Sequence, residues 1–265
     1  MWDPCQYALF SSHRGRAFHD LTARVHAAEP ALVVDLGCGD GALTLTLADR
    51  WPHARIVGVD SSTEMLDAAR EGDTDSRVEW AEGTAETWEP RVLGDPMDVL
   101  VTNATLQWVP EHPRLIPQWV QALAPGGWFA MQVPGNFSAP SHRLMRELAA
   151  RHPRATELEP GLSRADAVVE TSTYTALLAH LGLEVDAWET TYHHILDADG
   201  AQRSPVVEWV QATGLRPVLA VLTEEPERQR FLDDYAALVD EAYPRRDFGV
   251  LFPFRRIFAV AHRPG

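Results

Sequence analysis

Asp35-Leu36-Gly37-Cys38-Gly39-Asp40-Gly41 places an acid two residues before a run of alternating glycines. The apolar run Leu32-Val33-Val34 leads into it, and a helical pattern from Ala42 to about Arg50 follows. This is the pattern of a strand, a βα loop and a helix. Glycines let such a loop turn tightly and bring its backbone close to a ligand. The helix behind it offers free N–H groups. Gly37, Gly39 and Ala42 satisfy the dinucleotide fingerprint G-x-G-x-x-G/A, and Asp60 ends the next apolar run at about the distance that holds a ribose. A carboxylate accepts two hydrogen bonds, which suits a ribose diol. Asp35 weighs against the dinucleotide, because a carboxylate there repels a pyrophosphate and favours a cationic ligand.

The same stretch resembles the first motif of class I methyltransferases, acid-x-Gly-x-Gly-x-Gly, at Asp35, Gly37, Gly39 and Gly41. That resemblance implies S-adenosyl-L-methionine (SAM) as cofactor and S-adenosyl-L-homocysteine as its product. SAM has no phosphate, and its ammonium and sulfonium are cations. Cys38 belongs to the loop, and Ser61 follows the ribose acid Asp60. Met65 offers a soft apolar wall for an adenine. By its spacing from Trp88, Thr84 with Ala85 stands where the pattern has an acid and an apolar residue against the adenine amino group. A threonine hydroxyl accepts there more weakly than an acid. Asn103 and Gln107 can bond ligand groups, and Trp108 can wall the methyl site.

These residues need a doubly wound, mostly parallel sheet to bring them together. Arg55–Asp60, Val78–Trp80, Asp98–Asn103 and Trp128–Val133 read as its further strands, and Pro125-Gly126-Gly127 as a tight turn before the last of them. The strand ending at Asn103 lies beside the first one in such a sheet, so its loop borders the cofactor's reactive end. Beyond Pro134, Ser141–Arg151, Thr173–Leu181, Val206–Gly214 and Glu227–Tyr243 are helical by pattern, and Glu184–Ile195 and Phe254–Ala261 are strands. The expected fold is α/β, a seven-stranded Rossmann-like sheet forming a single domain over 1–265. Residues 1–28 form a helical lid, and insertions at 138–182 and 203–250 form a helical cap that excludes water and selects the substrate.

Composition bounds the function. The chain of 265 residues carries 23 Lys plus Arg against 38 Asp plus Glu, a formal net charge of −15. That excludes general nucleic-acid binding, which needs a basic face, and an anionic membrane surface. Cys5 and Cys38 make no disulfide framework. No signal peptide or apolar run of transmembrane length is visible, which points to a soluble cytoplasmic protein. His193-His194 does not make a metal site, because neighbours on a strand face opposite ways and no Cys or carboxylate cluster completes one.

Taken over nearly its whole length, the chain resembles the trans-aconitate 2-methyltransferase family. The resemblance rests on Trp2-Asp3-Pro4 with Tyr7 and Phe10, on Arg14-x-Arg16 with Asp20-Leu21 and Ala23-Arg24-Val25, and on Asn103-Ala104 to Leu106-Gln107-Trp108. It continues in Glu208-Trp209-Val210, Thr213-Gly214-Leu215-Arg216-Pro217 and Leu251-Phe252-Pro253-Phe254-Arg255-Arg256-Ile257-Phe258. The chain departs from the family at Ala17, where a proline is usual, and at Thr84-Ala85. The resemblance implies methyl transfer from SAM to a carboxylate of trans-aconitate, giving a monomethyl ester. A small tri-anion in an acidic protein needs local cations, so Arg14, Arg16, Arg245, Arg246, Arg255 and Arg256 are expected at the substrate, with Tyr7 and Trp108. His142, Arg143 and Tyr243 are weaker candidates. Arg255 and Arg256 alternate on a strand, so at most one faces the site.

A carboxylate is ionised at neutral pH, so no general base and no catalytic side chain in that sense is expected. Rate must come from holding the acceptor oxygen about 3–3.5 Å from the methyl carbon and in line with the sulfur, and from excluding water. The non-reacting carboxylates should take the tight arginine contacts. Other readings of the same residues are a methyltransferase acting on a malonyl thioester or a natural product, a dehydrogenase, and a SAM-binding regulator without catalysis. Protein partners are not legible.

Overall fold

The central sheet is built from runs of branched apolar residues that parallel strands buried on both faces require. A computed structural model describes residues 11–162, 167–211 and 213–265, with side chains from Gly15 onward. β1 (Leu32–Leu36) is buried at every position. It pairs in parallel with β2 (Arg55–Asp60) on one side and β4 (Met97–Asn103) on the other. β3 (Val78–Glu82) extends the sheet beyond β2, and β5 (Leu123–Pro134) lies parallel to β4. β8 (Gly249–His262) returns antiparallel along β5 from Arg256 to His262. The strand order is β3-β2-β1-β4-β5-β8-β6, with β6 spanning Glu184–Leu196. A two-residue β7 (Arg245–Arg246) pairs with the start of β8 and adds an eighth, very short strand to the seven expected. The chain therefore winds outward one way through β2 and β3 and the other way from β4. That reversal leaves a crevice at the carboxyl ends of β1 and β4.

Helices flank this sheet. α1 (Ser11–Thr22) turns Ala17, Phe18 and Leu21 inward and packs on β5 and β4. Arg50, at the end of α2 (Ala42–Arg50), donates to the Thr22 and Val25 carbonyls, both at 2.5 Å, and ties down the segment after α1. α3 (Thr63–Gly72) starts at Ser62, whose hydroxyl accepts from Met65 N at 3.3 Å. α4 (His112–Gln121) carries Pro113 in its first turn, where the missing N–H costs nothing.

The chain divides into two compact units. The first holds the residues up to Pro134 together with Ala167–Glu189 and Arg256–Gly265; α7 (Thr171–His180) falls within it. The second holds Gly135–Asp166 and Thr190–Arg255. Its helices are α5 (Pro140–Ala150), α6 (Ala155–Leu162), α8 (Pro205–Gln211), α9 (Arg216–Val221) and α10 (Glu225–Ala242). Within it, Tyr235 Oη donates to Ser141 O at 2.7 Å and Tyr243 Oη accepts from Ser141 N at 3.2 Å, so two phenols from α10 and its end satisfy the start of α5.

The structure alters three local expectations. Pro125-Gly126-Gly127 is not a free turn: Gly126 N donates to Arg263 O at 2.9 Å and Arg263 N to Gly127 O at 2.8 Å. The segment is an irregular start of β5, where the register to β4 shifts and Gly126 takes φ +79°. α6 and α9 did not show as periodic patterns, since each is short and carries a proline, Pro160 inside one and Pro217 in the first turn of the other.

His112 is buried on α4 and fully satisfied: Nδ1 donates to Val109 O and Nε2 accepts from Tyr174 Oη, each at 2.7 Å. Burial holds its pKa below the usual imidazole value. We expect Tyr174→Phe to strand that buried nitrogen and lower stability by about 1–3 kcal/mol. Chemical denaturation measures this, and an unchanged midpoint would contradict the buried pair.

Candidate active site

The glycine loop is shaped by hydrogen bonds before any ligand arrives. Gly37 N and Cys38 N both donate to Val59 O, at 2.7 and 3.0 Å. Gly39 N donates to Asp60 Oδ2 and Ser62 N to Asp60 Oδ1, each at 2.9 Å. Asp60 thus clamps the loop to the start of α3 and keeps further lone pairs for a ligand. Gly39 and Gly41 lie in the left-handed region at φ +59° and +75°. A Cβ at Gly41 would strike Trp80 and Ala69, whereas one at Gly39 would meet nothing within 4 Å. Gly41 is required by its neighbours, and Gly39 by its backbone and by the open space above it.

Asp35 sits at the floor of this space, 2 % exposed, with Thr44 Oγ1 donating to its Oδ2 at 2.6 Å. Burial pushes its pKa up to about 7, the Thr44 bond pulls the other way, and the Asp60 carboxylate adds to the rise. The buried Cys38 thiol is raised far above its usual value by burial and by Asp35 and Asp60, so it is inert as a nucleophile.

A cavity of about 420 Å³ opens above these acids within the first unit. The sequence-predicted Asp35, Gly37, Cys38, Gly39, Asp60, Ser61, Met65, Thr84, Ala85, Asn103 and Trp108 all line it. Phe18 on α1, Leu43 and Val109 add apolar wall. Thr84 Oγ1 shares a 2.9 Å hydrogen bond with Thr87 Oγ1. Gln107 is not among the lining residues; its Nε2 donates to Ala104 O at 2.6 Å and supports the loop after β4. Ala104 takes φ +54°, a position costly for a residue with a Cβ, and its N–H is fixed on Gln132 O at 2.9 Å. Thr105 Oγ1 donates to Gly37 O at 3.3 Å and joins this loop to the glycine loop.

The candidate arginines separate clearly. Arg16 projects from α1, largely exposed, with Asp20 at 3.8 Å. Arg256 is 4 % exposed, and its Nη1 donates to Gln132 Oε1 at 3.1 Å in the first unit. In the second unit, Arg255 Nη1 donates to Gly135 O at 3.2 Å. Arg245 there pairs with Asp197 and donates to Gln202 O at 3.1 Å, and Arg246 is exposed. Tyr7 and the Arg14 side chain lie outside the described residues. Gln132 escaped the sequence reading, because only strand register brings it beside Asn103. His142 and Tyr243 belong to the second unit; burial lowers the His142 pKa to about 4, with Arg146 adding to the effect. Among the described residues no group of three His, Cys, Asp or Glu could hold a metal ion, and no helix is long and apolar enough to cross a membrane.

The donor set fits SAM: four carboxylates, Asp35, Asp40, Asp60 and Glu86, line the cavity beside a soft methionine wall, Asp35 alone of them buried, with no basic side chain among the lining residues to receive a phosphate. Comparison with known proteins agrees. A family described as a methyltransferase domain matches residues 33–127. Among solved structures, the chain is similar in fold to Haemonchus contortus phosphoethanolamine N-methyltransferase 2 in complex with S-adenosyl-L-methionine, with a TM-score of 0.53 at 16% identity, covering 94% of this chain and 53% of that one. It is 49% identical to the trans-aconitate 2-methyltransferase of Streptomyces coelicolor, over 99% of this chain and 87% of that protein. It is 50% identical to that of Mycobacterium sp. strain KMS, over 98% and 99%. Sharing about half its residues with these enzymes along nearly its entire length, the chain belongs to the trans-aconitate 2-methyltransferase family.

Proposed function

We infer that this protein is a SAM-dependent methyltransferase that esterifies one carboxylate of trans-aconitate. The observation that carries the reading is the near full-length identity of about half to enzymes of that name. Bound SAM would supply an electrophilic methyl carbon for an acceptor carboxylate oxygen, the C–S electron pair staying with sulfur, so that the products would be the methyl ester and S-adenosyl-L-homocysteine.

The chain's own residues bind, orient and exclude water. Asp35, held by Thr44, offers its charge to a cationic ligand, and Asp60 offers acceptors to a diol. Met65, Phe18 and Val109 give the cavity apolar wall, which limits the water around a bound ligand and strengthens its contacts with charge. The acceptor is already ionised, so no side chain has to remove a proton. Arg256 is the buried cation best suited to a non-reacting carboxylate, with Arg14, Arg16, Arg245, Arg246 and Arg255 as further candidates. A cytoplasmic setting fits the free Cys38 thiol and the small-molecule substrates.

The direct test is incubation with methyl-labelled SAM and a panel of di- and tricarboxylates, read by mass spectrometry. A labelled trans-aconitate monoester is expected. SAM binding without transfer to any acid would leave a regulator instead.

Asp35 makes cofactor binding depend on pH. Its folded pKa of about 7 lies above the unfolded value, so in the free protein its protonated form stabilises the fold at low pH, and that contribution is lost as pH rises through about 7. SAM favours the carboxylate. Its affinity should fall about tenfold per unit below pH 7, with about one proton released on binding near pH 6 and none near pH 8. Calorimetry in buffers of different ionisation enthalpy reads this, and Asp35→Asn should abolish the dependence. A flat profile in the native protein would place the cation elsewhere.

The glycines should separate binding from folding. Gly39→Val fills open space and should remove SAM binding, its stability cost coming from the left-handed backbone alone; Gly41→Ala carries that backbone cost and also drives a Cβ into Trp80 and Ala69, so it should lower the melting temperature through packing as well. Unchanged SAM affinity in Gly39→Val would refute the site.

A further inference from the structure

Four polar residues stand on one face of the sheet across four strands. Asp35 is in register with Val101, and Asn103 lies two residues further along β4, on the same face. Asn103 is in register with Gln132 on β5, and Gln132 with Phe258 on β8. Arg256, two residues from Phe258, shares that face. The row therefore runs acid, carboxamide, carboxamide, guanidinium. From β1 to β8 it spans three strand spacings, about 14 Å. Asp35 and Asn103 are among the cavity's lining residues and Gln132 and Arg256 are not, so the row leads from the cavity's acidic end to a buried guanidinium.

Gln132 is 0 % exposed. Its Oε1 accepts from Arg256 Nη1, but its Nε2 has no hydrogen-bond partner among the described residues. Asn103 Oδ1, next to it in the row and at the cavity wall, is buried and unpartnered as well. Buried polar atoms are nearly always satisfied, so the orphan Nε2–H marks a place that a ligand acceptor completes, while Asn103 Oδ1, an acceptor, calls for a donor on the cofactor side. A carboxylate is the group that accepts from an amide N–H and a guanidinium together. Gln132 is also neutral, so it orients Arg256 without cancelling its charge. An acid at this position would use up the arginine.

We propose that Gln132 is a specificity residue for the acceptor: its Oε1 fixes the Arg256 guanidinium, and its Nε2–H donates to the non-reacting carboxylate that Arg256 holds. This rests on the reading of the protein as a methyltransferase acting on a small polycarboxylate. It names the side chain that rewards a second carboxylate and turns away a monocarboxylate.

The test uses Gln132→Met, which keeps the volume and loses the donor, and Gln132→Glu, which keeps the shape and adds a negative charge. Calorimetry measures trans-aconitate binding to the protein loaded with S-adenosyl-L-homocysteine, and SAM binding separately. Trans-aconitate affinity should fall about tenfold in Gln132→Met and about a hundredfold in Gln132→Glu, with SAM affinity within about threefold of the native protein. In steady state, KM for trans-aconitate should rise more than kcat falls, and a monocarboxylate acceptor should be little affected. Unchanged trans-aconitate affinity in a folded Gln132→Met overturns the proposal. So does an equal loss of SAM affinity, or failure of both variants to fold, since either makes Gln132 a structural residue. A native protein that methylates another acid and ignores trans-aconitate overturns the substrate reading instead.

Discussion

A carboxylate buried at the end of a central strand dominates this structure. Asp35 has one short hydrogen bond, from Thr44, and a second acid, Asp60, close enough to raise its pKa. Two acids at the floor of a small cavity make a field that repels phosphate and attracts a cation. The fold accepts that destabilisation because β1 is pinned on both sides by parallel neighbours, and because Asp60 is itself anchored by Gly39 and Ser62 N–H groups. The glycine loop takes its shape from these same bonds, and its open space lies above Gly39.

In the proposed reading the chemistry rests on the polarity of the row that starts at Asp35. A methyl donor with a positive sulfur and an acceptor with negative oxygens attract each other in water, where both are heavily solvated. Placing fixed charge of opposite sign at the two ends of one dry row replaces that solvation with a set orientation. The same proposal accounts for an acidic chain taking an anionic substrate. Net charge acts at long range and is screened, whereas a 4 %-exposed arginine acts at contact.

Much of this was legible in the residues. The acid, the glycines and Asp60 announce the loop by type and spacing alone, and the apolar runs around them dictate parallel strands. Eleven of the twelve residues expected around the cofactor line the cavity. Gln107 instead braces the Ala104 carbonyl, a role set by the left-handed turn at Ala104, which no sequence pattern signals. Gln132 was hidden for another reason: a glutamine inside an apolar strand has no meaning until register places it between Asn103 and Phe258. Arginines are the least legible class. Six of them looked alike as charges, yet Arg16 is exposed beside Asp20, Arg245 is taken by Asp197, and Arg256 is buried on Gln132. Burial and partner distinguish them, and both are properties of packing.

A crystal structure of the protein with S-adenosyl-L-homocysteine and trans-aconitate together tests the polarity of the row most directly. The expected arrangement sets the homocysteine ammonium toward Asp35 and one acceptor carboxylate on Arg256 and Gln132, with a second carboxylate facing the sulfur. Acceptor carboxylates held by Arg245 and Arg246, with Arg256 still bonded to Gln132 and touching no ligand, would contradict it.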